Sequence, residues 1–311
     1  MTWLDRLSSR TILAPMAGVT DKPFRQMVRQ FGQHLLFTEM ASATSLVYGS
    51  DQTQRFIKLA DEQMPIAIQL FGSNPEHLQQ AAVMAEQAGA VLVDINMGCP
   101  VRKLVASNAG AALMKMPYLA EEIIEKVKSA VHIPVSVKMR LGWDDAHINA
   151  CELAKALENV GVDSVTIHGR TKEQGYSGRA DWHQIAAVKQ VLSIPVIANG
   201  DIVDEKSAKT CLELTKADGL MVGRAALGRP WILAQIDGLK PAYNVADVAL
   251  EHFERMLAYY GDKGLYIARK HLAWYATGQS FVAQFRRNVY TETNKDNVKA
   301  LIKEYLNDCQ H

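Results

Sequence analysis

Cys99 closes the apolar run VDINMGC, behind Asn96 and Gly98, ahead of Pro100, and with two cations, Arg102 and Lys103, just beyond. A thiol in that position can be a nucleophile, which needs a base or cation to ionise it, or a proton donor, which must stay protonated. With an ordinary pKa of about 8.5, cysteine is mostly thiol at neutral pH and serves as an acid without tuning. The residues alone leave both roles open. Gly98 gives a flat ligand room to approach, and Pro100 restricts the backbone at that point.

Other candidates follow from parity, because side chains alternate faces along a strand. Ile66, Ile68 and Leu70 share one face and leave Ala67 and Gln69 on the other. Val91, Val93 and Ile95 oppose Asp94 and Asn96; Val135, Val137 and Met139 oppose Ser136, Lys138 and Arg140. Val165 and Ile167 oppose Thr166 and His168, and the next run ends at Asn199. Five consecutive runs thus aim polar groups at one side. A lysine inside a strand is costly to bury, so Lys138 calls for an anionic ligand, a Schiff-base role or an ion pair with Asp94.

The elements that must position these residues are eight short apolar or β-branched runs: 11–16, 34–40, 65–72, 91–98, 133–142, 163–170, 194–201 and 218–224. Segments of helical spacing separate most of them. Asn74-Pro75 reads as an N-cap followed by proline in the first turn, and Gly89 and Gly161 read as helix stops. Strands spaced about 30 residues apart by helices require parallel crossovers, and eight such units closing on themselves make a TIM (β/α)8 barrel. An open doubly wound sheet is the alternative, weakened by the lack of a G-x-G-x-x-G after the first run. The last two runs end in NGD (Asn199, Gly200, Asp201) and VGRAALGRP (with Gly223 and Arg224), where barrels commonly hold a phosphate. A phosphorylated ligand is expected there.

From about Lys240 strand signals give way to helical ones, VADVALEHFERMLAYYG, IARKHLAWYATG and NVKALIKEYLNDC, behind the linker DGLKPAYN. The expected organisation is a barrel over residues 1–237 and a small C-terminal helical domain over 238–311. Ordinary composition, 48% hydrophobic and 22% charged over 311 residues, suits that division.

Four scattered cysteines without C-x-x-C argue against a disulfide framework or a zinc site, so no metal is expected. Residues 1–10 lack the apolar core of a signal peptide, and no window approaches a membrane span, so a cytoplasmic protein is expected. Net charge is +1. The tail has ten Lys or Arg against eight Asp or Glu and the barrel 24 against 25, so neither half advertises nucleic acid by composition.

APMAGVTD (14–21), TEM (38–40), the glutamine of IQLFG, D-x-N-x-GCP (94–100), K-x-R-x-GW (138–143), HGRT (168–171), IANGDI (197–202) and MVGRAALGRPW (221–231) occur in that order. Together they resemble the tRNA-dihydrouridine synthases over nearly the whole chain, and IARKH with FRR (285–287) resembles the bacterial B-type. The resemblance implies FMN on the barrel mouth and NADPH, or NADH, as reductant. Pro15, Met16 and Ala17 would line the flavin ring, Gln69 would bond its pyrimidine edge, and Lys138 would offset negative charge at N1 and O2. Asn96 would join them, and His168, Asn199, Gly200, Asp201, Gly223 and Arg224 would serve the ribityl and phosphate end. Hydride would pass from flavin N5 to C6 of a D-loop uridine in tRNA, with Cys99 as catalytic acid at C5. The uracil must be turned out of its surroundings to reach the pocket.

Grouped cations are the candidate RNA contacts: Arg102 and Lys103, Arg269 and Lys270 with His271 beside Trp274 and Tyr275, and Arg286 with Arg287. Val101-Arg102-Lys103 departs from the B-type pattern, which often has two lysines after GCP and one more residue. Family resemblance also points to a monomer. Competing readings are a dihydroorotate or dihydropyrimidine dehydrogenase-like flavoprotein acting on a free base, a Schiff-base aldolase through Lys138, and a noncatalytic RNA-binding module.

Overall fold

Among the described residues nine strands form one parallel sheet: β1 Thr11–Leu13, β2 Leu36–Phe37, β3 Ala41–Ser42, β4 Ile66–Phe71, β5 Leu92–Met97, β6 Val135–Arg140, β7 Ser164–His168, β8 Val196–Asn199 and β9 Gly219–Val222. The computed structural model describes residues 2–307, so Cys99, Cys151 and Cys211 are seen while Cys309 and the end of the tail lie outside the described residues. Neighbours run β2-β1-β9-β8-β7-β6-β5-β4-β3, and β2 also pairs with β4 (Leu36 with Ile66, Phe37 with Ala67), which closes eight strands into a TIM barrel. β3, two residues that the sequence pattern did not separate, continues the line of β2 past Thr38–Met40, with Ala41 opposite Leu70. The break has a cause: Glu39 turns its carboxylate to the Gly18 amide, and the Thr38 hydroxyl bonds the Glu39 carbonyl.

Helices α1 Lys22–Arg29, α2 Ala43–Val47, α3 Asp51–Ile57, α4 Pro75–Gln87, α5 Arg102–Ala106, α6 Pro117–Lys128, α7 Ala150–Asn159, α8 Trp182–Val191, α9 Glu205–Thr215 and α10 Ile232–Ile236 accompany the barrel. Asn74 caps α4 by accepting from the His77 amide at 2.8 Å, with Pro75 in the first turn. Gly89 and Gly161 follow α4 and α7 with φ of 92° and 95°, left-handed positions that end a helix cheaply. The outward faces of the strands, Ile66, Ile68, Val93, Ile95, Val135 and Val137 among them, pack with these helices in the main core.

Inside the barrel, a separate apolar plug of Ile12, Ala14, Leu35, Phe37, Ala67, Leu92, Ile197 and Met221 sits over Leu4. Val91 departs from its expected side: it precedes β5 and packs, half-buried, against this plug. Parity holds only where the ladder does, and Val91 lies outside it. Above the plug the inward side chains become polar, so the barrel is filled by apolar groups below and lined by polar ones above.

Among the described residues the tail contains four helices, against the three that the helical patterns suggest: α11 Val245–Tyr260, α12 Lys263–Tyr275, α13 Val282–Thr291 and α14 Lys295–Leu306. α13 was missed because it buries only Phe285 and Val289, too sparse an apolar stripe to read. Met27 of α1 and Trp231 join the tail's core, and Tyr243 stacks on Trp231 at 3.9 Å between centroids. Polar bonds reinforce that seam: the Tyr260 hydroxyl donates to Asp21 at 2.9 Å and Arg255 to Gln26 at 3.0 Å. Gly228 matters here, because a Cβ would lie 2.4 Å from the Trp274 carbonyl.

Candidate active site

Asp94 anchors the polar layer. It is fully buried, accepts from Gln69 Nε2 at 2.7 Å and from the Ser136 hydroxyl at 2.6 Å, and burial raises its pKa to about 6 against those bonds and the Lys138 charge. An acceptor-only carboxylate on Gln69 Nε2 fixes that amide, so Gln69 Oε1 accepts from Asn96 Nδ2 at 2.8 Å. The Asn96 oxygen then takes the amides of Gly98 (3.1 Å) and Cys99 (2.9 Å). A chain of four residues thereby sets the turn that presents the thiol.

Lys138 is half-buried and donates to Asn199 Oδ1 at 3.1 Å, not to Asp94. Asn199 is fixed in turn by donating Nδ2 to the Met221 carbonyl at 2.7 Å. Burial, then the neighbouring Arg140, lowers the Lys138 pKa to about 8, opposed by Asp94 and Cys99. His168 is pushed down to about 2 by burial and by Lys138, Arg140, Arg170 and Arg224, so its imidazole is neutral.

One cavity of about 650 Å³ opens at the C-terminal ends of the strands, within the range of cofactor sites. Pro15, Met16, Ala17, Gln69, Asn96, Cys99, Lys138, His168, Asn199, Gly200, Asp201, Gly223 and Arg224 all border it. Cys99 is a free, half-buried thiol on one wall. The turn after it is tight: Ala111 donates to the Cys99 carbonyl at 3.0 Å, and Gly110, with φ 61°, would set a Cβ 2.7 Å from that oxygen.

Sequence reasoning left three lining or supporting groups out of the site. Arg140, given by parity and by the K-x-R-x-GW motif but assigned no role, borders the cavity and donates to the carbonyls of Gly98, Thr171 and Gly175 at 2.8–2.9 Å. Tyr176, from the loop between β7 and α8, stands under Arg224 (4.5 Å) and near Arg140 (5.6 Å), and no periodicity marks a loop tyrosine. Arg170, in the HGRT motif, is buried and grips Asp201 through both oxygens at 2.7 and 2.8 Å. The Asp201 carboxylate also accepts from the Ala180 amide, and although burial opposes it, these bonds and Arg224 hold its pKa below the ordinary range.

The grouped cations divide. Arg102 and Lys103 are exposed on α5, directly after the Cys99 turn, and Arg286 and Arg287 are exposed on α13. Arg269 is half-buried, bonded to the Glu292 carbonyl at 2.8 Å and set over Tyr266. Lys270 is half-buried with its ammonium against Gly18, 2.9 Å from where a Cβ there would lie. His271 and Tyr275 are buried in the seam, so that part of the expected cluster does not face solvent. Among the described residues there is no group of three His, Cys, Asp or Glu able to hold a metal ion, and no helix is long and apolar enough to cross a membrane.

A parallel (β/α)8 barrel with a cationic, thiol-bearing mouth defines the class of protein. The model of the dihydrouridine synthase family matches residues 12–310. A probable tRNA-dihydrouridine synthase of Rickettsia bellii is 45% identical over 310 residues, covering 96% of this chain and 95% of that protein. The tRNA-dihydrouridine synthase B of Pasteurella multocida is 40% identical over 283 residues, with 88% and 85% covered, and a probable tRNA-dihydrouridine synthase 1 of Synechocystis is 42% identical with 98% and 88% covered. Among solved structures, morphinone reductase aligns with a TM-score of 0.55 at 14% identity over 76% of this chain and 88% of its own, a likeness of fold. The chain belongs to the dihydrouridine synthase family of oxidoreductases.

Proposed function

We propose that this protein reduces the C5–C6 double bond of a D-loop uridine in tRNA to 5,6-dihydrouridine, with FMN as its flavin and NADPH, or NADH, as reductant. The observation that carries the reading is the cavity's donor set: Lys138, Arg140 and Arg224 around a neutral His168, with one free thiol on the wall. Asp94 is engaged by Gln69 and Ser136 and Asp201 chiefly by Arg170; Asp201 also lies 3.5 Å from Arg224, but that guanidinium is about half exposed and keeps donors for a ligand. Such a set fits an anionic, phosphate-bearing flavin.

When bound, the flavin supplies the hydride that ends at uracil C6. Cys99 delivers the proton to C5, held in position by the Asn96 cap on its amide. Gln69 keeps one N–H and one lone pair free for the pyrimidine edge, because Asp94 and Asn96 take the others. Lys138 offsets charge at N1 and O2, and Pro15, Met16 and Ala17 line the ring. Asn199, Gly200 and Gly223 serve the ribityl and phosphate end, with Arg224 as cation and Asp201 through its backbone, since its carboxylate holds Arg170.

The barrel, 1–237, is the FMN-binding catalytic domain and the C-terminal segment, 238–311, the tRNA-binding one. Arg102, Lys103, Arg286 and Arg287 contact phosphates, and Arg269 and Lys270 lend charge from behind. On this reading the protein works in the cytoplasm, as a monomer.

Purified protein should be yellow, and nucleoside mass spectrometry on tRNA from cells lacking it should show one D-loop dihydrouridine missing, restored by the purified protein. Cys99→Ala should lower uridine reduction about 10²- to 10⁴-fold while flavin reduction by NADPH persists. Turnover of free uracil or dihydroorotate without tRNA would replace this reading with a free-base dehydrogenase. Borohydride trapping on Lys138 in flavin-free protein would replace it with an aldolase.

A further inference from the structure

The rim of the mouth holds a second cluster of charge. Lys115 Nζ lies 4.4 Å and Lys172 Nζ 4.2 Å from the ring centroid of Trp143. The three residues come from the connections after β5, β6 and β7, so consecutive strands deliver them to the C-terminal face. Backbone bonds set the arrangement: the Lys172 amide donates to the Gly142 carbonyl and the Glu173 amide to the Trp143 carbonyl, both at 2.9 Å. Lys115 ends the 3-10 turn Gly110–Lys115, whose Ala111 amide bonds Cys99 itself at 3.0 Å.

Two like charges over one ring are unfavourable unless an anion is to join them. An aromatic face orders an ammonium group without neutralising it, as a carboxylate would. Among the described residues neither lysine makes an ion pair, and the neighbouring Asp144 is engaged by His147 at 2.7 Å. Lys115 is exposed and Lys172 half-buried, open to a large ligand rather than enclosing a small one.

We propose that Lys115, Trp143 and Lys172 form a clamp for backbone phosphates of the RNA strand adjoining the nucleotide seated beside Cys99. The inference rests on the tRNA reading above and adds a contact surface on the barrel that the grouped cations of the sequence did not reveal.

The test uses flavin-loaded protein and unmodified tRNA transcript, comparing wild type with Lys115→Ala/Lys172→Ala and Lys115→Arg/Lys172→Arg. For the alanine pair, the slope of log affinity against log salt should shrink by about 2, roughly one per lysine, and the KM for tRNA should rise. Its kcat and its tRNA-free oxidation of NADPH should match wild type, and the arginine pair should restore slope and KM. An unchanged slope overturns the clamp, including the case where affinity falls without arginine rescue, which would mean only that the lysines shape the rim. If wild type itself neither binds nor reduces tRNA, the proposed function falls and the clamp with it. If wild type does both and the alanine pair is indistinguishable from it, only the clamp falls.

Discussion

Asp201→Asn tests how the mouth is held together. Arg170 has 2% of its side chain exposed and Asp201 31%. The guanidinium also donates to the carbonyls of Ser177 (3.0 Å) and Gly178 (2.8 Å), so this pair anchors the loop carrying Tyr176. Breaking a buried pair costs about 3–5 kcal/mol because the surviving charge is stranded. Partial exposure of Asp201 and the oxygen that asparagine retains reduce this to roughly 2–3 kcal/mol. With an unfolding entropy of about 2.1 cal/mol/K per residue, the chain should lose roughly 4 °C in Tm. Urea and thermal unfolding of flavin-free protein would measure it, free of ligand linkage. Hydrogen exchange should quicken in 171–181 before the rest. The Asp201 pKa is depressed, so its contribution is present above the unfolded pKa and lost as pH falls through the folded one; the variant should have a flatter acid limb. A loss below about 0.5 kcal/mol, or a double-mutant cycle with Arg170→Met showing no coupling, would refute the reasoning.

Other expectations are simpler to state. Gly110→Ala forces a Cβ against the Cys99 carbonyl at a left-handed φ, so it should cost about 1–3 kcal/mol in urea unfolding and depress uridine reduction more than flavin reduction. Because the Lys138 pKa is about 8, FMN affinity should fall as pH rises through that value, and equilibrium titration of Lys138→Met should show weaker, pH-independent binding there. Buried His168, His252 and His271 are all held below their ordinary pKa, chiefly by burial, so the unfolded state binds more protons below about 6.5 and stability is lost as pH falls, by ~1.4 kcal/mol per unit per histidine. Asp21 and Asp94, raised by burial to about 6, work in the opposite sense between that pH and the ordinary carboxylate range, so the loss that begins near pH 6.5 should be partly offset below about 6, and His252→Gln should flatten it in pH-dependent denaturation.

Which face each strand residue takes was legible because period two is local: Gln69, Asp94, Asn96, Lys138, His168 and Asn199 point inward as their alternation requires. Helix ends at Asn74, Gly89 and Gly161 were legible for the same reason, since caps depend on the residues beside them. Closure of the barrel was not, because it rests on Leu36 and Phe37 pairing with Ile66 and Ala67 about 30 residues away. Nor was the fate of charge. Lys138 finds Asn199 rather than Asp94, Lys270 turns toward Gly18, and Arg170 takes the carboxylate of Asp201. The order and type of residues alone determined a series of parallel strands separated by helices, with a thiol and polar groups at one end of them. Only the tertiary structure decided which cations are spent on protein partners and which remain for a ligand, because that depends on distances between segments remote in the chain.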